Sequence, residues 1–168
     1  MIVDSYRFLP RSFRPMYEGR GPFPGEEAAV WARFDKRLAS SRIALLTSAG
    51  IYVKPSQPPF DVERERSNPE WGDPSWRSIP AGVDAADLEV AHLHISHDDI
   101  RSDPEIALPI RTLTQLVSQR VVGSETNEHL SVMGYQERNL EAWHRDTAPQ
   151  LVASLRDQQA DGIVLAPA

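Results

Sequence analysis

Three histidines and two aspartates crowd one short stretch, His92-x-His94-x-x-His97-Asp98-Asp99. Imidazole changes its charge near neutral pH and is the commonest nitrogen ligand of protein-bound metals, so the stretch is open to two chemistries. On an extended strand residues 92 and 94 point to one side. Two imidazoles, with His97 and an aspartate from the following loop, would then suit zinc or iron. The same side chains can instead line a pocket as hydrogen-bonding or acid–base groups, and an HxH pair also arises in strands where it is purely structural. The residues singled out for acid–base work are His94, His97 and Asp98, with no metal assigned. His129 and His144 stand alone in the sequence.

A second candidate is the turn Thr47-Ser48-Ala49-Gly50, which follows the apolar block Ile43 to Leu46. A short apolar block breaking into small residues is the pattern of a buried strand ending in a tight turn. Open α/β sheets bind their ligands at that carboxyl edge. Thr47 and Ser48 offer hydroxyls and Gly50 a close backbone approach, so these three, with His129 and Tyr135, are the expected substrate-side residues. A turn that merely needs a small residue explains Gly50 equally. No GxGxxG, Walker or GxSxG pattern accompanies it.

The elements that would position these residues follow in order. Residues 1–24 mix Tyr6, Phe8, Phe13, Tyr17 and Phe23 with Arg7, Arg11, Arg14 and Arg20 and are interrupted by prolines, which suggests an irregular arm over the chain's own core or against a partner. Glu26 to Ser40 has the charge bias and the Val30, Phe34, Leu38 spacing of a helix. Residues 54–87 form a proline-rich excursion, too long for an ordinary connection. Trp71 and Trp76 argue that it is ordered, as a lid or a plain surface insertion with room for a short hairpin, and its Glu63-Arg64-Glu65-Arg66 run reads as a solvated face. Leu88 to Ile95 alternates like a strand. Ser102-Asp103-Pro104-Glu105 starts a helix whose stripe is Ile110, Leu113, Leu116 and Val117, with Pro109 bending or starting it. His129 to Met133 and Ile163 to Ala166 read as further strands, and residues 137–159 as a helix that Pro149 breaks or restarts, with Thr147 as a cap. The expected fold is α/β: one domain, 1–168, with a mainly parallel, Rossmann- or flavodoxin-like sheet, strands near 42–47, 88–95, 129–133 and 162–166, and helices on both faces.

The 168 residues, of net charge −6 and pI near 5.3, suit one domain and argue against nucleic acid, which needs a concentrated basic face. No stretch approaches the roughly 18 apolar residues of a membrane span, so a cytoplasmic protein is expected. The chain has no cysteine and hence no thiol of its own.

Taken together, RIALLTSAGIYV, WGDPSWRSIP, HLHISHDD with the IALPIRTL helix, HLSVMGYQ and ADGIVLAPA resemble, in that order, segments of the selenoprotein B family of glycine, sarcosine, betaine and D-proline reductases. The likeness spans nearly the whole chain and is greatest to short members of the family. It implies reductive cleavage of a carbon–heteroatom bond by a selenocysteine or cysteine nucleophile, on amino acids or N-methylated amines. In the family the segment resembling DGIVLAPA leads into the redox motif at a helix start, where the helix dipole stabilises a thiolate or selenolate. This sequence stops one step earlier. A UGA codon read as stop would give such a chain, so the resemblance implies no cofactor on these residues and selenocysteine in a following segment. Alternatives from other classes are a non-catalytic module for small-molecule binding or a subunit interface, as a homo-oligomer or reductase subunit, and, more weakly, a metal-dependent hydrolase built on the histidines.

Overall fold

A computed structural model describes Pro15 and residues 32–68, 71–136 and 140–168. Internal contacts divide the chain into two compact units, Met1–Arg33 and Phe34–Ala168, and the second is described here. The expected arm, 1–24, lies outside the described residues, as does the first part of the expected helix at Glu26 to Ser40. The rest of that helix is absent: residues 32–37 are irregular and only Leu38–Ser40 make a single 3-10 turn.

The sheet is built on β1 (Arg42–Thr47). Along one edge β1 pairs in parallel with β7 (Gly162–Ala166), from Ile43 opposite Gly162 to Thr47 opposite Ala166. Along the other it pairs in parallel with β5 (Ser124–Glu125) at its start and with β6 (Glu128–Val132) at its end. A strand has two edges, so β5 and β6 share the second. β3 (Trp76–Pro80) then adds antiparallel to β6. The mostly parallel character and the strands at 42–47, 129–133 and 162–166 agree with expectation.

Three expectations fail. The strand at 88–95 shrinks to β4 (Leu88–Val90), which leaves the main sheet and pairs antiparallel with β2 (Ile51–Val53). The pair runs out where Gly50 turns the chain with φ +65°, and the Nδ1 atom of His92 accepts the His94 N–H at 3.1 Å, so the backbone donor of a continuing strand is already used. In residues 54–87 the excursion supplies not a hairpin but a helix, α1 (Val62–Ser67), and the edge strand β3. Finally β7, an apolar run of the kind expected inside a sheet, leaves Val164 and Leu165 48% and 64% exposed, because no described strand pairs with its second edge.

Helices pack on both faces. The helix α2 (His97–Ser102), a 3-10 turn at Pro104–Ile106 and α3 (Ile110–Ser118) follow β4, and Ile110 and Leu113 join Ile43, Leu45 and Ile79 in one core. On the other face Leu151 packs with Leu130 and Val132, flanked by Leu46, Trp76 and Trp143. The carboxyl-terminal helix, α4 (Leu140–Ala142) and α5 (Ala148–Asp157), runs through a π turn at Trp143–Thr147. Pro149 has no N–H for the usual helical bond, and the wide turn just before it keeps the helix continuous. Thr147 is therefore helical and no cap; its hydroxyl donates instead to the Pro74 carbonyl at 2.5 Å.

Gly50 is the tightest joint between the β2–β4 pair and the main sheet. Its N–H donates to Val132 and its carbonyl accepts from Ala91, and a Cβ there would lie 2.4 Å from the Ala91 oxygen. With its positive φ added, Gly50→Ala is expected to lower stability by more than about 2 kcal/mol, read as a shift of the urea midpoint at constant slope.

Candidate functional site

The carboxyl ends of β1, β6 and β7 open onto a pocket of about 410 Å³. Leu46, Val132, Met133, Trp143 and Leu165 make its wall apolar, and Ser48 and Gly134 lie at the strand ends. Ser48 holds β7 in place: its N–H donates to the Ala166 carbonyl, and its hydroxyl accepts from the Ala168 N–H at 2.9 Å. Gly134 passes close by; a Cβ there would meet the Ser48 oxygen at 3.0 Å.

The segment Met133–Gln136 connects this pocket to the histidines. Met133 bridges to Ala49, and two residues on, the Tyr135 ring lies 4.6 Å from that of His94, tilted 43°. Gln136 fixes the segment from its far end, donating through its amide nitrogen to the Asp73 and Met133 carbonyls at 2.6 and 3.1 Å. Gly72 is equally confined, since a Cβ would overlap the Tyr135 carbonyl at 1.7 Å.

Around His94 the arrangement is layered. His92 is buried and its ring meets that of His94 edge-on at 5.8 Å. Burial, and then the neighbouring His94 and His97, push its pKa down to about 4, so it is neutral at physiological pH. The Nε2 of His97 lies 2.6 Å from the His92 carbonyl and ties the start of α2 back to the loop. The Nε2 of His94 lies 3.1 Å from Oε1 of Glu65, whose side chain is 1% exposed while that of His94 is 50% exposed. Glu65 belongs to the charged run expected to face solvent. Glu63, Arg64 and Arg66 are indeed exposed, but the helical turn sends the fourth residue inward. Burial raises its carboxyl pKa; His94 draws it back and Asp73 pushes it up.

The structure thus places the expected residues differently. His94 and Tyr135 come together, with Glu65 as a partner that the sequence did not reveal. His97 is tied to the backbone beside them. Asp98 points away, 96% exposed and 4.0 Å from Arg101. Of the turn residues Ser48 lines the pocket. Thr47 is buried and its hydroxyl accepts from the Ala49 N–H at 3.2 Å, and Gly50 is packed against Ala91. His129 does not reach either place. It is fully buried within β6, accepts the Leu45 N–H on Nδ1 at 3.2 Å, and has Glu125 3.7 Å from Nε2. Because β4 ends at Val90, His92 and His94 do not project side by side from a strand, and among the described residues no group of three His, Cys, Asp or Glu side chains is placed to hold a metal ion.

His129, like His92, is held neutral by burial, its pKa pushed down to about 4 from 6.5. A base whose pKa falls on folding contributes stability that is present above its unfolded value and lost as the pH falls through the folded one. Stability should therefore decline from pH 6.5 to about 4, at roughly 1.4 kcal/mol per pH unit for each imidazole. Glu65, with its pKa raised, acts in the opposite sense, losing its contribution as the pH rises. Urea midpoints across this range should fall less steeply for His129→Gln than for the wild type; parallel curves would show that His129 titrates as it does in the unfolded chain.

No described helix is long and apolar enough to cross a membrane. No family profile and no solved structure matches the chain. Among proteins of known function, the gamma subunit of D-proline reductase from Acetoanaerobium sticklandii is 24% identical to it over 136 residues, covering 81% of this chain. The chain spans about half, 52%, of that subunit's length. It is a distant relative of a reductase subunit, with a mixed α/β fold.

Proposed function

We propose that this chain is the substrate-side scaffold of a reductase of the glycine, sarcosine, betaine and D-proline reductase type. The pocket at the carboxyl edge of β1, β6 and β7 takes a small amino acid or N-methylated amine, with its apolar part against Leu46, Met133, Trp143 and Leu165. Ser48 and Gln136 supply its polar groups, and His94 and Tyr135 meet each other beyond the Met133–Gln136 segment. The chemistry of the type is reductive cleavage of a carbon–heteroatom bond by a selenol or thiol. The 168 residues include no cysteine, so that nucleophile comes from outside them, from a following selenocysteine segment or another subunit. A Rossmann- or flavodoxin-like architecture for the sheet, action in the cytoplasm and assembly with further subunits belong to the same reading.

The observation that carries the reading is the kinship with the D-proline reductase gamma subunit, which runs through most of the chain, together with an apolar pocket where α/β sheets bind ligands. The physics agrees with a small, largely apolar substrate. A wall of this kind gains affinity from buried hydrocarbon and leaves orientation to a few polar groups.

The test is binding, which needs no nucleophile. D-proline, glycine, sarcosine and betaine are titrated into the protein and followed by saturation-transfer NMR. At least one should bind saturably, and Leu165→Asp, an exposed position on the pocket wall, should weaken it about tenfold, equivalent to roughly 1.4 kcal/mol. If none of the four binds, the substrate reading falls and the chain is better understood as a non-catalytic interface module.

A further inference from the structure

Glu65 is the most unusual charged group among the described residues. It sits on the short helix α1 with both carboxylate oxygens shielded from solvent and satisfied by no hydrogen bond of good geometry, and among the described residues the basic side chain that meets it is His94. A buried carboxylate without a cationic or hydrogen-bonding partner is expensive, and removing it from a protein often costs nothing. Its position therefore calls for a use that a solvated glutamate would not serve. His94 provides the other half: its ring is half-exposed, faces Glu65 through Nε2 alone, and is steadied by the Tyr135 ring.

We propose that Glu65 and His94 form an acid–base dyad, in which Glu65 is the positioning residue and His94 the working group. The carboxylate lies against Nε2 of the imidazole and balances the positive charge it gains, so that Nδ1 is the nitrogen that exchanges a proton with a ligand. For the kind of ligand, a protonated amine, this rests on the substrate reading above; the dyad itself rests on the burial of Glu65 and the 3.1 Å contact. An oriented carboxylate behind an imidazole is the arrangement by which a histidine is held in one tautomer and its protonated form stabilised. The other groups around His94 do not compete for that task. His92 is buried and neutral, the aromatic face of Tyr135 packs on the ring, His97 is engaged with the His92 carbonyl, and Asp73, which bears on Glu65, is occupied by the Asp61 and Ser75 N–H groups.

The test uses the ligand-free protein, so failure of amine binding leaves its outcome readable. Diethyl pyrocarbonate acylates the unprotonated imidazole, and peptide mass mapping follows His94 separately from the other histidines. A carboxylate at contact distance favours the charged ring, which the reagent does not attack, over the neutral one. At pH 6, His94 in Glu65→Gln should therefore react several-fold faster than in the wild type. Glu65→Asp, which keeps the charge, should restore most of the wild-type rate. Equal rates for wild type and Glu65→Gln would overturn the proposal. A second measurement on the wild type alone guards against a variant that does not fold: the ring ¹⁵N shifts of neutral His94 should report a proton on Nε2, and a proton on Nδ1 would equally overturn it.

Discussion

Everything at the candidate site depends on where β1 stops. β1 is paired along both edges, with β7 on one and with β5 and β6 on the other, so its backbone donors and acceptors are used throughout and its position is fixed by two neighbours at once. At Thr47 that constraint ends. The next three residues carry the chain out of the sheet: Ser48 secures the end of β7, Ala49 touches Met133, and Gly50 turns into β2. The pocket and the histidine loop lie on the two sides of this exit, joined by Met133–Gln136. Because the exit is made of small residues in close backbone contact, with Gly50 in a conformation that side chains resist, the two sides share one rigid support.

The two sides of this exit are different environments. The pocket is walled mainly by hydrocarbon, which gives shape without direction. The histidine loop holds a fully buried carboxylate and a half-exposed imidazole, a pair with direction but little bulk. Burial alone disfavours charge on Glu65 and on His92, but with different results: His92 becomes a neutral structural acceptor, whereas Glu65 has His94 to offset the cost. This is how three histidines close in sequence come to have three roles. One is buried and neutral, one is tied to a carbonyl, and one remains available at the surface.

The kinship with a reductase gamma subunit and the geometry are independent observations. The kinship is a distant one over most of the chain and concerns the chain as a whole. The geometry is local: it places an apolar pocket at the carboxyl edge of the sheet and, separately, a carboxylate against an imidazole.

The sequence by itself was sufficient for β1, β6 and β7, since apolar blocks bounded by turn residues are a local signal, and for α3, whose stripe of Ile110, Leu113, Leu116 and Val117 needs no distant partner to be read. Of the residues it singled out, Ser48 lines the pocket and His94 and Tyr135 lie in ring contact. It misjudged Leu88 to Ile95, because alternation predicts a strand without saying how long its partner is, and β2 offers only three residues. It misjudged Glu65 for a related reason. A charged run looks solvated wherever it occurs, and only packing decides which residue of a helical turn is driven inward. Edge pairing, burial of a charge and the meeting of side chains distant in sequence, such as Glu65 with His94 and Ser48 with Ala168, are long-range events, and the tertiary structure alone decides them.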